Sequence, residues 1–334
     1  MKNKTIKRAK ILAFGSSFPE QILTNADMEK IVDTSDQWIR ERSGIQERRK
    51  LRDGENNSDI AAAASLSALK KAGKKPEDID LIISCSNSPD KWLPAMACII
   101  QNKIGAHNNC GAFDLLAACA GWVVGLSVAE QFIKAGTHKT ILVIGSEAMT
   151  RFLNWKDRST CVLFGDGAGA CIVTPAEENE KSEILSIHIH SDGRYADILD
   201  MPGTGSAMPA TPDVLEKNYH FFHMNGQEVF KHAVRNMASC AEEALTKNNV
   251  KIDDIDWFIP HQANIRIIEA TARKLNFPME KVALNVHKYG NTSAATIPTA
   301  FDEYIETGKI KRGDLILLTT VGGGLTWASA LIRW

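Results

Sequence analysis

Neither sign of charge dominates this chain: 39 Lys plus Arg stand against 40 Asp plus Glu. A nucleic-acid binder rests its affinity on a basic stripe, so the balance argues against that class. Long apolar runs are missing too. Leu115 to Ala129 is charge-free but carries Gly121 and Gly125, and Leu315 to Ile332 is interrupted by glycines at 322–324. Neither reads as a transmembrane span. The N-terminal basic residues Lys2, Lys4, Lys7, Arg8 and Lys10 mimic a signal peptide, but the apolar stretch after them, Ile11 to Phe14, is too short for one. A first β-strand is expected there. The seven cysteines (85, 98, 110, 119, 161, 171 and 240) are odd in number and include no C-x-x-C pair, which argues against structural zinc and a disulfide framework. They suit a reducing cytoplasm, most of them as small buried hydrophobes.

What is present is ordinary globular composition, 44% hydrophobic and 24% charged over 334 residues. That length suits one large α/β unit or two joined halves. Apolar runs at Ile79–Cys85, Lys139–Gly145, Ile255–Ile259 and Asp314–Thr320 alternate with helix-like stretches, which predicts a largely buried sheet. The chain also repeats itself. Glu77-Asp78-Ile79-Asp80-Leu81 recurs as Asp253-Asp254-Ile255-Asp256-Trp257 at an offset of 176, and Ala135-Gly136 recurs as Thr307-Gly308 at 172. At that second offset Cys119 falls on Asn291. A duplicated α/β half is expected, over 1–175 and 176–334, with one site between the copies.

Three residues carry candidate chemistry. Cys119 follows the apolar run 111–113 with Asp114 and precedes Ala120-Gly121-Trp122-Val123-Val124-Gly125. The pattern predicts a strand, a sharp turn and a buried helix of small residues. A thiol at a helix N-terminus feels the positive end of the dipole, which favours thiolate, and the free N–H groups there suit an oxyanion. His261 ends the strand-like run Trp257-Phe258-Ile259-Pro260, where parallel sheets place their sites. Asn264 is expected to cap the helix that follows. Asn291, in Tyr289-Gly290-Asn291-Thr292-Ser293, completes a set expected at three strand–helix junctions. Each alone also suits packing or capping; together they point to one site.

The segments DLLAACAGW, IPHQANIRI, YGNTSAA and GGGLTWASALIRW resemble the β-ketoacyl-acyl-carrier-protein synthase III family, in order and along the full chain. The resemblance implies a thiolase-like α/β fold of duplicated βαβαβαββ halves, layered α-β-α-β-α. It implies an initiating condensing enzyme of type II fatty-acid synthesis. Acyl-CoA would acylate Cys119; His261 and Asn291 would then hold the enolate oxygen formed when malonyl-acyl-carrier protein loses CO₂. The N–H groups of Cys119 and Gly323 would form the oxyanion hole for acyl transfer. Elongating ketosynthases use His where Asn291 stands, and thiolases need a cysteine near the C-terminus, where this chain has none beyond Cys240. A homologue of specialised metabolism with another primer or acceptor is the alternative, and a non-catalytic scaffold subunit a remoter one.

The resemblance assigns further contacts. Trp38 and Arg158 would sandwich the adenine of coenzyme A, with Arg42 nearby and Asn264 on pantetheine. Arg266, Arg273 and Lys274 fall on one face of the helix after His261 and, with Lys231, form an expected docking patch for the acidic carrier protein. Leu93, in Asp90-Lys91-Trp92-Leu93-Pro94, stands where relatives reach across a homodimer to close the acyl pocket, and many of them carry an aromatic there. A primer other than acetyl is therefore expected. The run Phe164-Gly165-Asp166-Gly167-Ala168-Gly169-Ala170 is only a partial dinucleotide fingerprint, leading into a strand rather than a helix. Close backbone packing is expected there, with no cofactor and no metal.

Overall fold

The computed structural model describes residues 7–334; Lys2 and Lys4 lie outside them. Runs rich in Val, Ile and Leu become strands buried on both faces, as a sheet covered by helices requires. Five strands form one sheet in the order Ala9–Ser17, Asp166–Pro175, Ile141–Ala148, Leu81–Cys85, Gly111–Leu115. Its last three strands run parallel, and Asp166–Pro175 is antiparallel to both of its neighbours. A second sheet orders Trp257–Pro260, Leu315–Gly322, Thr326–Arg333 and Glu183–Ser191. Arg8 and Lys10, read above as signal-like charges, pair instead with Glu183 and Glu180 at 2.8 and 2.5 Å beside the first strand.

The helices Gly121–Ala135 and Thr296–Glu306 lie between the sheets. Their Trp122, Leu126, Ile297 and Phe301 share one core with Val143 of the first sheet and Leu318 of the second. Phe301 stacks on Phe14 at 4.4 Å within it. Asn57–Ala72 and Met96–Ile104 cover the outer face of the first sheet. The outer face of the second is covered by Gly226–Lys247 and Ile265–Lys274. These layers read helix, sheet, helix, sheet, helix. No helix of the described residues is long and apolar enough to cross a membrane.

The repeated segments fold alike. Short 3-10 turns at Pro76–Asp78 and Ile252–Asp254 lead into strands, each turn held by an Asp accepting from the backbone three residues earlier, at 2.8 and 3.0 Å. The next acid in each, Asp80 and Asp256, accepts from the start of the neighbouring parallel strand's segment, at Thr140 N (3.0 Å) and Leu315 N (2.8 Å). Gly136 and Gly308 both take left-handed φ, 72° and 70°, after a central helix. The glycine run at 165–169 is packing, as its entry into a strand suggested: a Cβ on Gly165 would meet Tyr289 O at 2.4 Å.

Candidate active site

The first sheet delivers Cys119. Strand Gly111–Leu115 ends, Ala118 takes φ +48°, and a 3-10 turn over Ala118–Ala120 runs into the central helix. A non-glycine residue in that region is strained and persists only where its surroundings hold it. Here Thr320 Oγ1 donates to Cys119 O at 3.0 Å, and Gly322 lies so close that a Cβ there would come within 2.5 Å of Cys119 N. The turn is clamped by the far sheet.

The expectation of a favoured thiolate is overturned. Cys119 is buried, and burial pushes its thiol up to about 12, aided by the negative charge of Glu147 and opposed by the Ser293 hydroxyl. Desolvation of a charged sulfur outweighs the dipole of the helix that follows. Cys119 therefore rests as a neutral thiol.

The second sheet delivers His261 from the end of Trp257–Pro260, its backbone N–H bonded to Thr319 O at 2.8 Å. The ring is 2% exposed and burial pulls it down to about 3, so the imidazole is neutral. Its Nδ1 lies 2.7 Å from Thr296 Oγ1, which also lies 3.0 Å from Ser293 O. The Thr296 proton therefore sets the tautomer. Donated to Ser293 O, it leaves Nδ1–H as donor and Nε2 as a lone pair; turned to Nδ1, it leaves Nε2–H free to donate.

This burial has a consequence for stability. The histidine binds a proton near 6.5 when unfolded but only near 3 when folded. Below 6.5 the unfolded chain gains the proton first, so stability falls as pH falls. Wild type should lose about 2 kcal/mol relative to His261→Ala between pH 7 and 5. Denaturant titration of both proteins at the two pH values checks this, and a pH-independent difference refutes it.

Asn291 is buried, held through its backbone to Leu163 O (2.9 Å) and Gly165 N (3.1 Å). Its Oδ1 accepts from Ser293 N at 2.8 Å, which leaves Nδ2 as the donor toward the cavity it lines. One expectation about it is corrected. Asn291 follows the short helix Val286–Tyr289, not a strand, because the chain before it makes a single bridge, Val282 to Phe258, instead of a ladder.

Two cavities meet at Cys119. One, of about 700 Å³, is lined by Leu115, Leu116, Met149, Phe164, Phe222 and Gly323 beside the thiol. The other, of about 840 Å³, brings His261 and Asn291 to the same cysteine together with Trp38, Arg42, Asn264 and Arg266. Asn264 caps Ile265–Lys274 by accepting from Ile267 N at 3.0 Å. Arg158 lies over the Trp38 ring at 5.1 Å and donates to Asp33 O at 3.0 Å. Gly323 follows the glycine that backs the Cys119 N–H, and its own Cβ position faces Leu199 O at 2.7 Å.

Other expected residues lie further out. Arg273 and Lys274 are exposed beside Arg266 on one helix, and exposed Lys231 stands on the neighbouring helix, 3.8 Å from Glu228. Leu93 is 85% exposed and lines neither cavity of the described chain, although Lys91 and Trp92 of its loop line the first. Sequence reading missed Thr296, Ser293 and Glu147. The first two sit inside the YGNTSAATIP segment around Asn291. Glu147 is a lone charge closing an apolar run, a signal that was available, since an acid is almost never fully buried without a partner.

Comparison with known proteins adds to this geometry. Residues 113–193 match the family described as 3-oxoacyl-[acyl-carrier-protein (ACP)] synthase III, and residues 245–334 match its C-terminal counterpart. A β-ketoacyl-[acyl-carrier-protein] synthase III of Alkalilimnicola ehrlichii is 50% identical over 327 residues, 98% of this chain and 99% of that protein. One from Clostridioides difficile is 49% identical, covering 98% of each. The crystal structure of the Aquifex aeolicus 3-oxoacyl-[acyl-carrier-protein] synthase III is 46% identical, with a TM-score of 0.90 over 98% of this chain and all of that one. With identity of that level over 98% of its length, the chain belongs to the β-ketoacyl-[acyl-carrier-protein] synthase III family of thiolase-fold condensing enzymes.

Proposed function

We propose that this chain performs the initiating condensation of type II fatty-acid synthesis. The observation that carries the proposal is the meeting of Cys119, His261 and Asn291 where two cavities join. Acyl-CoA enters along the cavity of Trp38, Arg42 and Asn264, and Cys119 takes its acyl group as a thioester, with the acyl chain in the apolar cavity. The N–H groups of Cys119 and Gly323 hold the oxyanion. Arg158 stands in contact with Trp38, so stacking of adenine between them requires the guanidinium to swing aside.

Malonyl-acyl-carrier protein then binds in place of coenzyme A. Asn291 Nδ2–H and His261 Nε2–H donate to its thioester oxygen, the Thr296 hydroxyl having turned to Nδ1. Loss of CO₂ puts negative charge on that oxygen, so both donors bind the transition state better than the substrate. The enolate carbon attacks acyl-Cys119, and the β-ketoacyl product leaves on the carrier protein. No bound cofactor takes part.

The working unit is proposed to be a cytoplasmic homodimer. Its halves, 1–175 and 176–334, contribute nucleophile and enolate donors respectively, and Leu93 reaches the acyl pocket of the second copy. Incubation with a panel of acyl-CoA thioesters, followed by mass spectrometry, tests the first half-reaction. An adduct on Cys119 identifies the primer, and the absence of any adduct refutes the reading.

Carrier-protein docking is assigned to Lys231, Arg266, Arg273 and Lys274. Rim charges mainly steer encounter with a charged partner. Reversal of Arg273 and Lys274 to Glu should therefore weaken use of malonyl-carrier protein and spare acylation by acyl-CoA. The loss should shrink as salt shortens the reach of the charges. Steady-state kinetics at two salt concentrations decides it; equal loss of both half-reactions sinks this docking face.

A further inference from the structure

Glu147 is a fully buried carboxylate that the mechanism above leaves unused. It stands near the end of strand Ile141–Ala148 and accepts from Asn87 N (3.0 Å), Asn87 Nδ2 (3.0 Å), Ser86 Oγ (3.3 Å) and Ser88 Oγ (2.5 Å). Each hydroxyl already accepts from elsewhere, which leaves its proton for the acid. Asn57 Nδ2 and Ser88 N donate to Ser86 Oγ at 3.0 and 3.1 Å, and Ala148 N donates to Ser88 Oγ at 2.8 Å. An ionised carboxylate is acceptor-only, and four donors meet it here.

Asn87 turns this anchor toward the active site. An amide nitrogen carries two protons, and Asn87 Nδ2 gives one to Glu147 Oε1 and the other to Ser293 Oγ at 2.8 Å. An asparagine amide has nearly the same shape either way round, so its partners decide which end points where. The carboxylate admits only donors, which turns Nδ2 of Asn87 to it and to Ser293. A second amide is set in turn. Ser293 N donates to Asn291 Oδ1 at 2.8 Å, which leaves Asn291 Nδ2 facing the cavity.

Ser293 makes that bond from φ +49°, a strained conformation for a residue with a side chain. Its carbonyl is fixed at the start of helix Thr296–Glu306, where it accepts from Thr296 N and Thr296 Oγ1. The strain lies on the N–H side, the side that holds Asn291. Asn87 grips the Ser293 hydroxyl and keeps the residue from relaxing.

Resting on the assignment of Asn291 as an enolate donor, we propose that Asn87, anchored on Glu147, is a positioning residue for decarboxylation. It holds Ser293 so that Asn291 presents its N–H, not its C=O, to the enolate oxygen. Reversed, Asn291 would set a carbonyl oxygen against developing negative charge and replace stabilisation by repulsion. The charge appears only as CO₂ leaves, so the benefit falls on the transition state and not on substrate binding. Asn87 and Ser293 also line the first cavity beside Cys119, which makes contact with the acyl chain the competing role. Decarboxylation in a Cys119→Ala background, where no acyl-enzyme forms, separates the two.

Crystal structures of Asn87→Ala and Ser293→Ala test the chain of bonds without any substrate. In both variants the separation of residue 293 N from Asn291 Oδ1, 2.8 Å in the wild type, should lengthen beyond hydrogen-bond reach. A bond retained in both variants overturns the proposal, whatever the activity.

CO₂ release from malonyl-carrier protein in the Cys119→Ala background gives the functional reading. It is measured at pH 8, where the Glu147 carboxyl, pushed up to about 7 by burial, is ionised. Asn87→Ala should lower kcat by about tenfold, less than the 10²–10³-fold of deleting a donor outright, and leave KM within about twofold. Ser293→Ala should match it, and the two together should be no slower than the slower single variant, because both break one chain. A merely structural loosening of the site would raise KM as well and would add. A kcat loss of less than about threefold, a KM that rises as kcat falls, or additive losses overturns the proposal. If the crystal structures show the bond lost while Cys119→Ala releases no CO₂ at all, the condensing-enzyme reading fails and the hold of Asn87 on Asn291 stands.

Discussion

Cys119→Ala is expected to reduce condensation to background while malonyl-carrier protein still loses CO₂. Without the sulfur no acyl-enzyme forms, so the enolate has no electrophile. The two proposed enolate donors are held independently of that sulfur. His261 hangs on Thr319 O and Thr296 Oγ1, and Asn291 on Leu163 O, Gly165 N and Ser293 N. None of those bonds involves the thiol. Truncating a side chain that short removes little volume, and the central helix after it keeps its packing between the sheets.

Adding His261→Ala or Asn291→Ala to that variant should suppress CO₂ release by about 10²–10³-fold, the usual contribution of one oxyanion donor. Labelled CO₂ release by the single and double variants, with circular dichroism to verify folding, is the measurement. Condensation by Cys119→Ala, or decarboxylation by the doubles at the rate of the single variant, would falsify the division of labour. The two donors should also prove non-additive, because each leaves the shared oxygen with one partner fewer.

These three residues are legible in the sequence because each stands beside a local signal. Cys119 follows an apolar run and precedes small residues, His261 ends a run with Pro260, and Asn291 falls at the repeat offset from Cys119. The buried strands were equally legible from their Val, Ile and Leu content. What sequence misjudged depends on distant chain. The buried thiol sits on a turn clamped by a strand end some two hundred residues away, at 320–322, which a reading of the local helix dipole could not include. Asn291 sits at a position equivalent to Cys119 without a preceding strand, since one bridge at Val282 replaces the first half's edge ladder. Ser293 and Glu147 lie far apart in sequence, and Asn87, distant from both, joins them by donating from Nδ2 to Glu147 at 3.0 Å and to Ser293 Oγ at 2.8 Å.

The second large effect concerns that clamping strand end. Gly322→Ala places a methyl 2.5 Å from Cys119 N, 2.9 Å from Ala118 Cβ and 3.1 Å from Ala120 N. Two of these neighbours are backbone, so something must shift. Gly322 cannot easily retreat, because it closes a fully buried strand and pairs with Thr326 across an antiparallel ladder. The turn carrying Cys119 must give way instead, and Ala118 there already holds a strained φ. Displacing a reacting group by about 1 Å can cost about 10²-fold in rate, and overpacking a core of this density costs about 1–3 kcal/mol. Cys119 acylation by acyl-CoA should accordingly fall by about 10²-fold, with a lowered melting temperature and an intact fold. Gly193→Ala, where a Cβ meets nothing within 4 Å, is the control expected to behave as wild type. Rapid-quench acylation followed by mass spectrometry reads both variants. Wild-type acylation by Gly322→Ala would mean that the turn carrying Cys119 is not held by the far sheet.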